Sequence, residues 1–373
     1  MISLKKTFLA AFIVVGSIGS VNSQVKGLAE GISYSQDLFN TSMNASMMAA
    51  MKTSPSCYRI PALLKAPNGD LIAAIDERNQ SCDDLRTHKN INIVIRKSKD
   101  NGKTWSDIQT VIDFPFGFSA SDPSMISDTQ TGTVFLFYNY MDLNKEKDIY
   151  YLHVIKSTDN GETWSKPEDI TAQISKPEWK KDFKFVTSGK GTQTASGTLL
   201  HTLVNLKYGV FIFGSNDHGK TWFFKETPVT PADESKVIEL IDGRWMVNSR
   251  VNKNGMRVVH TSSDEGKIWT SKNEPSLVDP SCNGAIIRYK SKKYGNLLLF
   301  SNLDSKKERA NLTVKYSKDE GKTWSKGKVI YTGSAAYSDI EVLANGQIGV
   351  FFEKEDYKEN VFASFSLKWL MKQ

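Results

Sequence analysis

An eight-residue pattern, S-x-D-x-G-x-T-W, recurs along the chain and determines the predicted fold class. Its copies are 98–105 (SKDNGKTW), 157–164 (STDNGETW), 215–222 (SNDHGKTW), 262–269 (SSDEGKIW, with Ile268 in place of Thr) and 317–324 (SKDEGKTW). In each copy the Asp side chain can accept hydrogen bonds from backbone amides just ahead of it, and the Gly two residues later can supply a positive φ. We name each copy an Asp box and predict that it forms a tight turn.

The residues before each Asp box have the alternating or continuous apolar pattern of a β-strand. These stretches are 91–97, 150–156, 209–214, 257–261 and 312–316. A strand followed by a tight turn predicts a hairpin, in which the Trp of the box begins the returning strand and packs against a neighbouring unit. We expect the boxes to serve the fold, because a feature repeated at five turns is typical of structure rather than of catalysis.

The spacing of the boxes predicts the number of repeating units. Asp100 and Asp319 lie 219 residues apart over four intervals, about 55 residues each, which is enough for four short strands and their turns. About six such units fit residues 24–373, one of them without a box. The sequence therefore predicts an all-β fold, a six-bladed β-propeller that forms a single domain over 24–373.

The N-terminal segment 1–23 has the pattern of a secretory signal peptide. Lys5 and Lys6 precede an apolar run over 8–15, and small or polar residues follow at 21–23. An uncleaved membrane anchor is the alternative, but it needs about 18 continuous apolar residues, and the segment 16–20 interrupts this run. We predict cleavage and a secreted or periplasmic protein. No other segment is apolar enough for stable membrane insertion.

Charge and cysteine content narrow the classes of partner. Lys and Arg number 48 against 41 Asp and Glu, for a net charge of +7. This mild excess suits an anionic ligand, and the chain lacks the basic runs of a protein that binds nucleic acid. Three Cys are too few for a disulfide scaffold, although Cys57 and Cys82 could pair.

Several classes of site chemistry are excluded by the motifs present. The five His show no metal-ligand spacing, and no G-x-S-x-G segment marks a serine hydrolase, so that we predict no metal and no cofactor. Residues 214–221 (GSNDHGKT) match the P-loop pattern, but this stretch belongs to an Asp box followed by a strand instead of a helix. Nucleotide binding is therefore not predicted.

An ordered set of segments outside the boxes resembles one enzyme family. The segments are YRIP (58–61), DERNQSCDDLR (76–86), SDPSM (121–125), DESKVIELIDGRWMVNSR (233–250), KKERANLTVKYSKDEG (306–321), AAYSDI (335–340) and GVFFE (349–353). From about Cys57 to Glu353 the chain is similar to the exo-sialidases (neuraminidases). The resemblance implies that Arg59, Arg250 and Arg309 clamp the carboxylate of a sialic acid, for which planar guanidinium groups are suited.

The resemblance also implies the catalytic residues. Tyr337 matches the family nucleophile, and Glu234 matches the residue that takes its proton. Glu353 matches the carboxylate that orients Arg59. The acid/base Asp follows Arg78 by six residues in many relatives, which indicates Asp84, but the pattern leaves its neighbour Asp83 open.

Two further residues are implied as substrate contacts. Asp122 resembles a residue that binds a ring hydroxyl of the sugar, and Arg78 is expected beside it.

The implied activity is that of a secreted, retaining exo-sialidase that works through a tyrosyl-enzyme intermediate. Its partners would be sialylated glycans or glycoproteins, and because no segment marks an interface we expect a monomer. Two alternatives share these sequence features. One is a trans-sialidase, and the other is a non-catalytic Asp-box propeller that acts as a lectin.

Overall fold

The computed structural model describes residues 25–41 and 56–372, and most of its regular structure is β-strand. The described residues form five sheets, in which nearly all neighbouring strands are antiparallel. The predicted all-β class is confirmed. The predicted signal peptide, 1–23, lies outside the described residues.

Two of the sheets contain four strands that follow one another in the chain. The first consists of β2 (Cys57–Lys65), β3 (Leu71–Arg78), β4 (Ile91–Ser98) and β5 (Gln109–Ile112). The second consists of β16 (Ser235–Glu239), β17 (Trp245–Ser249), β18 (Met256–Ser262) and β19 (Thr270–Val278).

Two further sheets contain five strands each. One consists of β6 (Phe118–Asp128), β7 (Thr133–Asp142), β8 (Tyr151–Ser157) and β9 (Glu168–Asp169), with β11 (Gly189–Lys190) parallel to β6. The other consists of β10 (Lys184–Val186), β12 (Thr192–Gln193), β13 (Leu199–Asn205), β14 (Gly209–Ser215) and β15 (Phe223–Phe224).

The seven-stranded sheet is held together by one long strand. Its members are β1 (Tyr34–Asn40), β20 (Ala285–Ser291), β21 (Gly295–Leu303), β22 (Ala310–Ser317), β23 (Lys328–Val342), β24 (Ile348–Lys354) and β25 (Glu359–Phe365). The first part of β23 pairs with β22, up to Ser334, and the rest pairs with β24 from Ala335 onward. β1 pairs with β25 and so brings an N-terminal segment to the last strand of the chain.

Helical structure is limited to three short segments among the described residues. They are α1 (Thr171–Ile174), a 3₁₀ helix (Pro177–Trp179) and α2 (Leu367–Met371). Within the part of the chain that the structure describes, no helix is long and apolar enough to cross a membrane.

The core lies between neighbouring sheets, so that many strands are buried on both faces. Ile72 and Ile95 of the β2–β5 sheet pack with Val134 and Leu136 of the β6–β9 sheet in one apolar cluster. All seven residues of β14 are buried. Burial on both faces explains why these strands have nearly continuous apolar runs instead of strict alternation.

Each Asp box forms the predicted hairpin turn. In the box at 98–105, the backbone amide of Thr104 donates to Asp100 Oδ1 at 2.8 Å, and the Gly102 amide donates to Ser98 Oγ at 2.8 Å. Gly102 has φ 85°, and a Cβ at this position would lie 2.2 Å from the Phe362 ring. The turn therefore needs glycine both for its conformation and for the space that the neighbouring sheet occupies.

The tryptophans of the boxes lie just before the returning strands, whereas the prediction placed them at the start of these strands. The returning strands begin one to four residues after the Trp, for example at Gln109 after Trp105 and at Phe223 after Trp222. The expected contacts between sheets are present, since Trp105 packs edge-on against Phe362 with ring centroids 5.2 Å apart. Because residues 214–221 form a strand and a turn that leads into another strand, the rejection of a P-loop is confirmed.

The box with Ile268 provides a test of the turn energetics. In the other four boxes the Thr hydroxyl donates to Asp Oδ2 at 2.6–2.7 Å. Ile268 has no hydroxyl and is 69% exposed. We expect Ile268→Thr to raise the Tm by about 1–2 °C, because it adds one hydrogen bond to the turn. Differential scanning calorimetry measures this shift. Thr323→Ile is the matched control and should lower the Tm, and equal Tm values for all three proteins would contradict the explanation.

Candidate active site

The predicted site residues lie at one edge of the sheets because of how antiparallel strands pair. A residue just before one strand and a residue just after its antiparallel partner are at the same edge. Glu234 immediately precedes β16 and Arg250 immediately follows β17, while Arg309 immediately precedes β22. This edge brings together residues that are far apart in the sequence.

A cavity of about 560 Å³ opens at this edge. It contains all the predicted catalytic and substrate-binding residues, namely Arg59, Arg78, Asp84, Asp122, Glu234, Arg250, Arg309 and Tyr337. Glu353 is fully buried behind the cavity and contacts two of its walls. Asp83 is exposed and is not among the residues that line this cavity.

Tyr337, Glu234 and Arg250 form the centre of the cavity. The Tyr337 hydroxyl donates to Glu234 Oε2 at 2.7 Å, and Arg250 Nη1 donates to the same oxygen at 2.5 Å. Arg250 Nη1 also lies 3.4 Å from Tyr337 Oη. The phenol thus has a carboxylate acceptor within hydrogen-bond distance and a cation beside both groups.

Burial determines the protonation states of Tyr337 and Glu234. Burial raises the pKa of the Tyr337 phenol well above its usual value, and the Glu234 carboxylate acts in the same direction. Burial also raises the pKa of Glu234, although the Arg250 guanidinium partly opposes this. The tyrosine is therefore neutral at physiological pH, and Glu234 has an increased affinity for a proton.

Glu353 connects the first arginine to the strand that carries Tyr337. Its Oε1 accepts from Arg59 Nε at 2.9 Å and from the Ile60 amide at 2.8 Å, and its Oε2 accepts from the Tyr337 amide at 2.9 Å. Ile60 has φ 68°, which is an unfavourable conformation for a β-branched residue. The buried carboxylate stabilises this bulge and fixes the direction of Arg59.

Arg59 and Arg309 also lie close to the Tyr337 side chain, so that three guanidinium groups surround it. The Cζ atoms of Arg59 and Arg309 lie 5.9 Å and 5.7 Å from the centroid of the Tyr337 ring. Arg309 donates to the Ser281 carbonyl and to the Tyr357 hydroxyl, both at 3.3 Å. Among the described residues Arg309 has no carboxylate partner, so its charge is the least compensated of the three arginines.

Asp84 is held by Arg78 on the other side of the cavity. Arg78 Nη1 donates to Asp84 Oδ1 at 2.6 Å, and the Asp84 side chain is 80% exposed. Partial desolvation raises the pKa of Asp84, but the guanidinium groups of Arg78, Arg59 and Arg309 together outweigh this, and the net effect is a lowered pKa. Asp84 is thus ionised at neutral pH in the unliganded protein.

Arg78 is almost fully buried, and its guanidinium group makes hydrogen bonds within the protein. Its side chain is 1% exposed, and both its Nε and Nη2 donate to Asp76. Asp122 has φ 60° at a bulge of β6, where its carboxylate accepts from Ser121 and Asn139. Burial raises the pKa of Asp122, with Arg78 opposing.

Sequence reasoning missed Tyr357, which lines the cavity. The Arg59 guanidinium lies 3.8 Å from the centroid of the Tyr357 ring, and Arg309 donates to its hydroxyl. Tyr357 ends a turn in which 355–357 all have positive φ without a glycine. Only the three-dimensional turn directs this side chain toward the arginines, and no motif in the sequence indicates it.

The apolar wall of the cavity was also not predicted. Tyr150 and Phe183 stack with ring centroids 4.9 Å apart, and Phe183 and Leu206 are 38% and 48% exposed. Tyr150 immediately precedes β8, and Phe183 and Leu206 flank β10 and β13, so no strand pattern or motif indicated that these side chains line a cavity. Over residues 25–41 and 56–372, the structure contains no group of three or more His, Cys, Asp or Glu that could hold a metal ion.

Comparison with known proteins identifies the family. Residues 87–350 match the family model for a BNR repeat-like domain. A sialidase of Micromonospora viridifaciens is 35% identical over 346 residues, which cover 84% of this chain and 52% of that protein. A sialidase of Bacteroides fragilis (strain YCH46) is 29% identical over 365 residues, with 88% and 66% covered. The chain therefore spans about half the length of the first relative and 66% of the second.

A solved structure agrees with these relatives. The Hadza microbial sialidase Hz136 has a TM-score of 0.77 and 28% identity, and the match covers 84% of this chain and 66% of that chain. The fold and its repeated turns define an all-β protein with BNR-type repeats. More specifically, the chain belongs to the family of sialidases with BNR repeats.

Proposed function

We propose that the chain is a retaining exo-α-sialidase that removes terminal sialic acid from glycans or glycoproteins. The observation that carries this proposal is the convergence of three guanidinium groups on a buried tyrosine that donates to a glutamate. Arg250 lies within 3.4 Å of the Tyr337 oxygen, and Arg59 and Arg309 lie within 6 Å of its ring. Such a cluster matches a small anionic sugar whose reacting carbon is next to its carboxylate.

The arginines bind the carboxylate of the substrate in this mechanism. Arg309 lacks an acidic partner among the described residues. Arg59 donates to Glu353 through Nε. The substrate carboxylate supplies the missing negative charge. The same contacts hold the substrate carboxylate in place while oxocarbenium-like character develops on the sugar ring in the transition state.

A neutral tyrosine is a suitable nucleophile for a substrate with a carboxylate on its reacting carbon. A charged carboxylate nucleophile would be repelled, whereas Tyr337 stays neutral until it attacks. Its oxygen forms a bond to the anomeric carbon as the bond to the leaving oxygen breaks, and its proton passes to Glu234. The 2.7 Å hydrogen bond between the two side chains supports this transfer.

Asp84 acts as the acid and then as the base. It donates a proton to the leaving oxygen in the first step. In the second step it accepts a proton from the water that displaces Tyr337, while Glu234 returns its proton to the phenol. Two displacements at one carbon retain the anomeric configuration.

A direct assay tests the proposal. The purified chain is incubated with an aryl α-sialoside and with sialyllactose, and the released sialic acid and its anomeric form are followed by NMR. We expect release from both substrates, with the α-anomer as the first product. A folded protein that binds a 2,3-dehydro sialic acid analogue but releases nothing would instead be a lectin.

Transfer to a sugar hydroxyl is a second candidate function. It is favoured by the apolar wall at the cavity mouth, where the exposed Phe183 and Leu206 offer a surface for an acceptor sugar. Added lactose in the same assay distinguishes the two functions. Transfer in excess of hydrolysis would identify a trans-sialidase.

We also infer that the sheets form a six-bladed β-propeller over a single domain, 24–373. The support is that β23 pairs with β22 in its first part and with β24 in its second part. The seven-stranded sheet then counts as two blades joined by one strand, which with the other four sheets gives six. We propose a monomer, because a propeller closes its own core.

We further propose that 1–23 is a signal peptide and that the protein is secreted or periplasmic. The disulfide between Cys57 and Cys82 supports this location, because disulfides persist in oxidising compartments.

A further inference from the structure

The disulfide links two segments that each carry a residue of the candidate site. Cys57 is the first residue of β2 and precedes Arg59 by two positions. Cys82 lies 25 residues further along the chain and precedes Asp84 by two positions. The covalent bond therefore joins the strand of the first arginine to the loop of the proposed acid.

Arg78 makes hydrogen bonds to the same loop. It pairs with Cys57 across the β2–β3 ladder, and its Nη1 donates to the carbonyls of Cys82 and Asp83 at 2.9 Å and 3.1 Å. The same nitrogen donates to Asp84 Oδ1. The disulfide and the buried guanidinium thus hold one three-residue segment, 82–84, which we name the acid segment.

The acid segment is also held at its C-terminal end, where the Asp84 carbonyl accepts from the backbone amides of Thr87 and His88 at 3.0 Å and 3.1 Å and from the Thr87 hydroxyl at 3.2 Å. All three of its residues are exposed, and the Asp83 amide donates only to Ser81 Oγ in the same loop. The next firm anchor is Leu85, which is buried against Met141 and Tyr150. Without the disulfide, the backbone before Asp84 would be held to the rest of the protein mainly through Arg78.

We propose that the Cys57–Cys82 disulfide is a positioning device that keeps Asp84 over the cavity, so that protonation of the leaving group depends on it while carboxylate binding does not. This inference rests on the proposed function, since it assigns Asp84 as the acid. The three arginines of the clamp lie on or next to β2, β17 and β22, outside the loop that Cys82 holds. Reduction should therefore separate turnover from ligand binding.

The test compares the wild type with the double variant Cys57→Ser, Cys82→Ser on two substrates. Sialyllactose has a poor leaving group that needs a proton, whereas 4-nitrophenyl sialoside has a leaving group that departs without one. We expect kcat/KM for sialyllactose, which reports the first displacement, to fall about 10- to 100-fold, because small displacements of a catalytic group have effects of this size. The value for the aryl sialoside should change less than about threefold. Affinity for the 2,3-dehydro analogue, measured by calorimetry, should stay within about twofold.

Two controls separate this inference from loss of folding and from failure of the proposed function. Reductant should reproduce the effect in the wild type and have no effect on the double variant. Hydrogen exchange of the peptide covering 79–90 reports loop order without any catalysis, and it should be faster in the double variant. An equal loss for both substrates, or unchanged exchange in 79–90, would overturn the positioning role. If the wild type releases no sialic acid, but exchange in 79–90 is faster in the double variant than in the wild type, the proposed function alone would be overturned.

Discussion

Replacement of Tyr337 by Phe is expected to lower the release of sialic acid by about 10³-fold or more, the scale of loss seen when an enzyme loses its nucleophile. The variant lacks the oxygen that would bond to the anomeric carbon, and no other hydroxyl contacts Glu234 in the described residues. The fold should persist, because Arg250 still compensates the buried Glu234 at 2.5 Å. Steady-state kinetics with an aryl sialoside measures the loss, and calorimetry with the 2,3-dehydro analogue measures binding.

Tyr357→Phe is the matched control for this variant. Tyr357 also lines the cavity, and its hydroxyl contacts Arg309 at 3.3 Å. Removing that hydroxyl leaves the ring stacked on Arg59, so that we expect a loss of no more than about fivefold, as for one hydrogen bond. Wild-type-like turnover in Tyr337→Phe, or equal losses in the two variants, would be incompatible with a nucleophilic Tyr337.

Replacement of Asp84 by Ala is expected to lower kcat/KM for sialyllactose by about 10²-fold or more, the usual contribution of a general acid. The loss should be smaller for 4-nitrophenyl sialoside, whose leaving group needs no proton. Asp83→Ala is the control, because Asp83 lies outside the cavity and its loss should leave turnover close to that of the wild type. Reversed effects of the two substitutions would assign the acid to Asp83.

The pH dependence gives a second readout of the same group. Arg78 lowers the pKa of Asp84, so the acid is ionised in the free enzyme at neutral pH. The proposed mechanism needs the protonated form, and we therefore expect kcat/KM for sialyllactose to rise as the pH falls from 7 to 5. This rise should disappear in Asp84→Ala.

The repeated turns were predictable from the sequence because their chemistry is local. Asp100, Gly102 and Trp105 occur within six residues, and each has a distinct task in the turn. The cavity residues came from an ordered resemblance, and the structure brings all of the predicted ones to one site. It does so through contacts such as that between Arg59 and Glu353, which are 294 residues apart.

Other features depend on three-dimensional arrangement and could not be predicted. The pattern indicated Asp84 but left its neighbour Asp83 open, whereas in the structure only Asp84 lines the cavity. The sequence offered Cys57 and Cys82 as a possible pair, but their geometry depends on β2 and β3 being adjacent. The direction of Tyr357 depends on a turn without glycine. The division of β23 between two partners was likewise not predicted from the sequence.

The pairing of β1 with β25 has a consequence for how the protein reaches its native state. Tyr34 lies opposite Ser364, so this ladder closes a loop of more than three hundred residues, and the entropy of closing such a loop opposes its early formation. A high contact order of this kind is typical of slow folding. A nascent chain that has emerged only through β22 contains Arg59, Asp84 and Arg250 but not the strand that bears Tyr337. In the proposed mechanism, the candidate site is therefore incomplete until β23 has been synthesised and has paired with its neighbours.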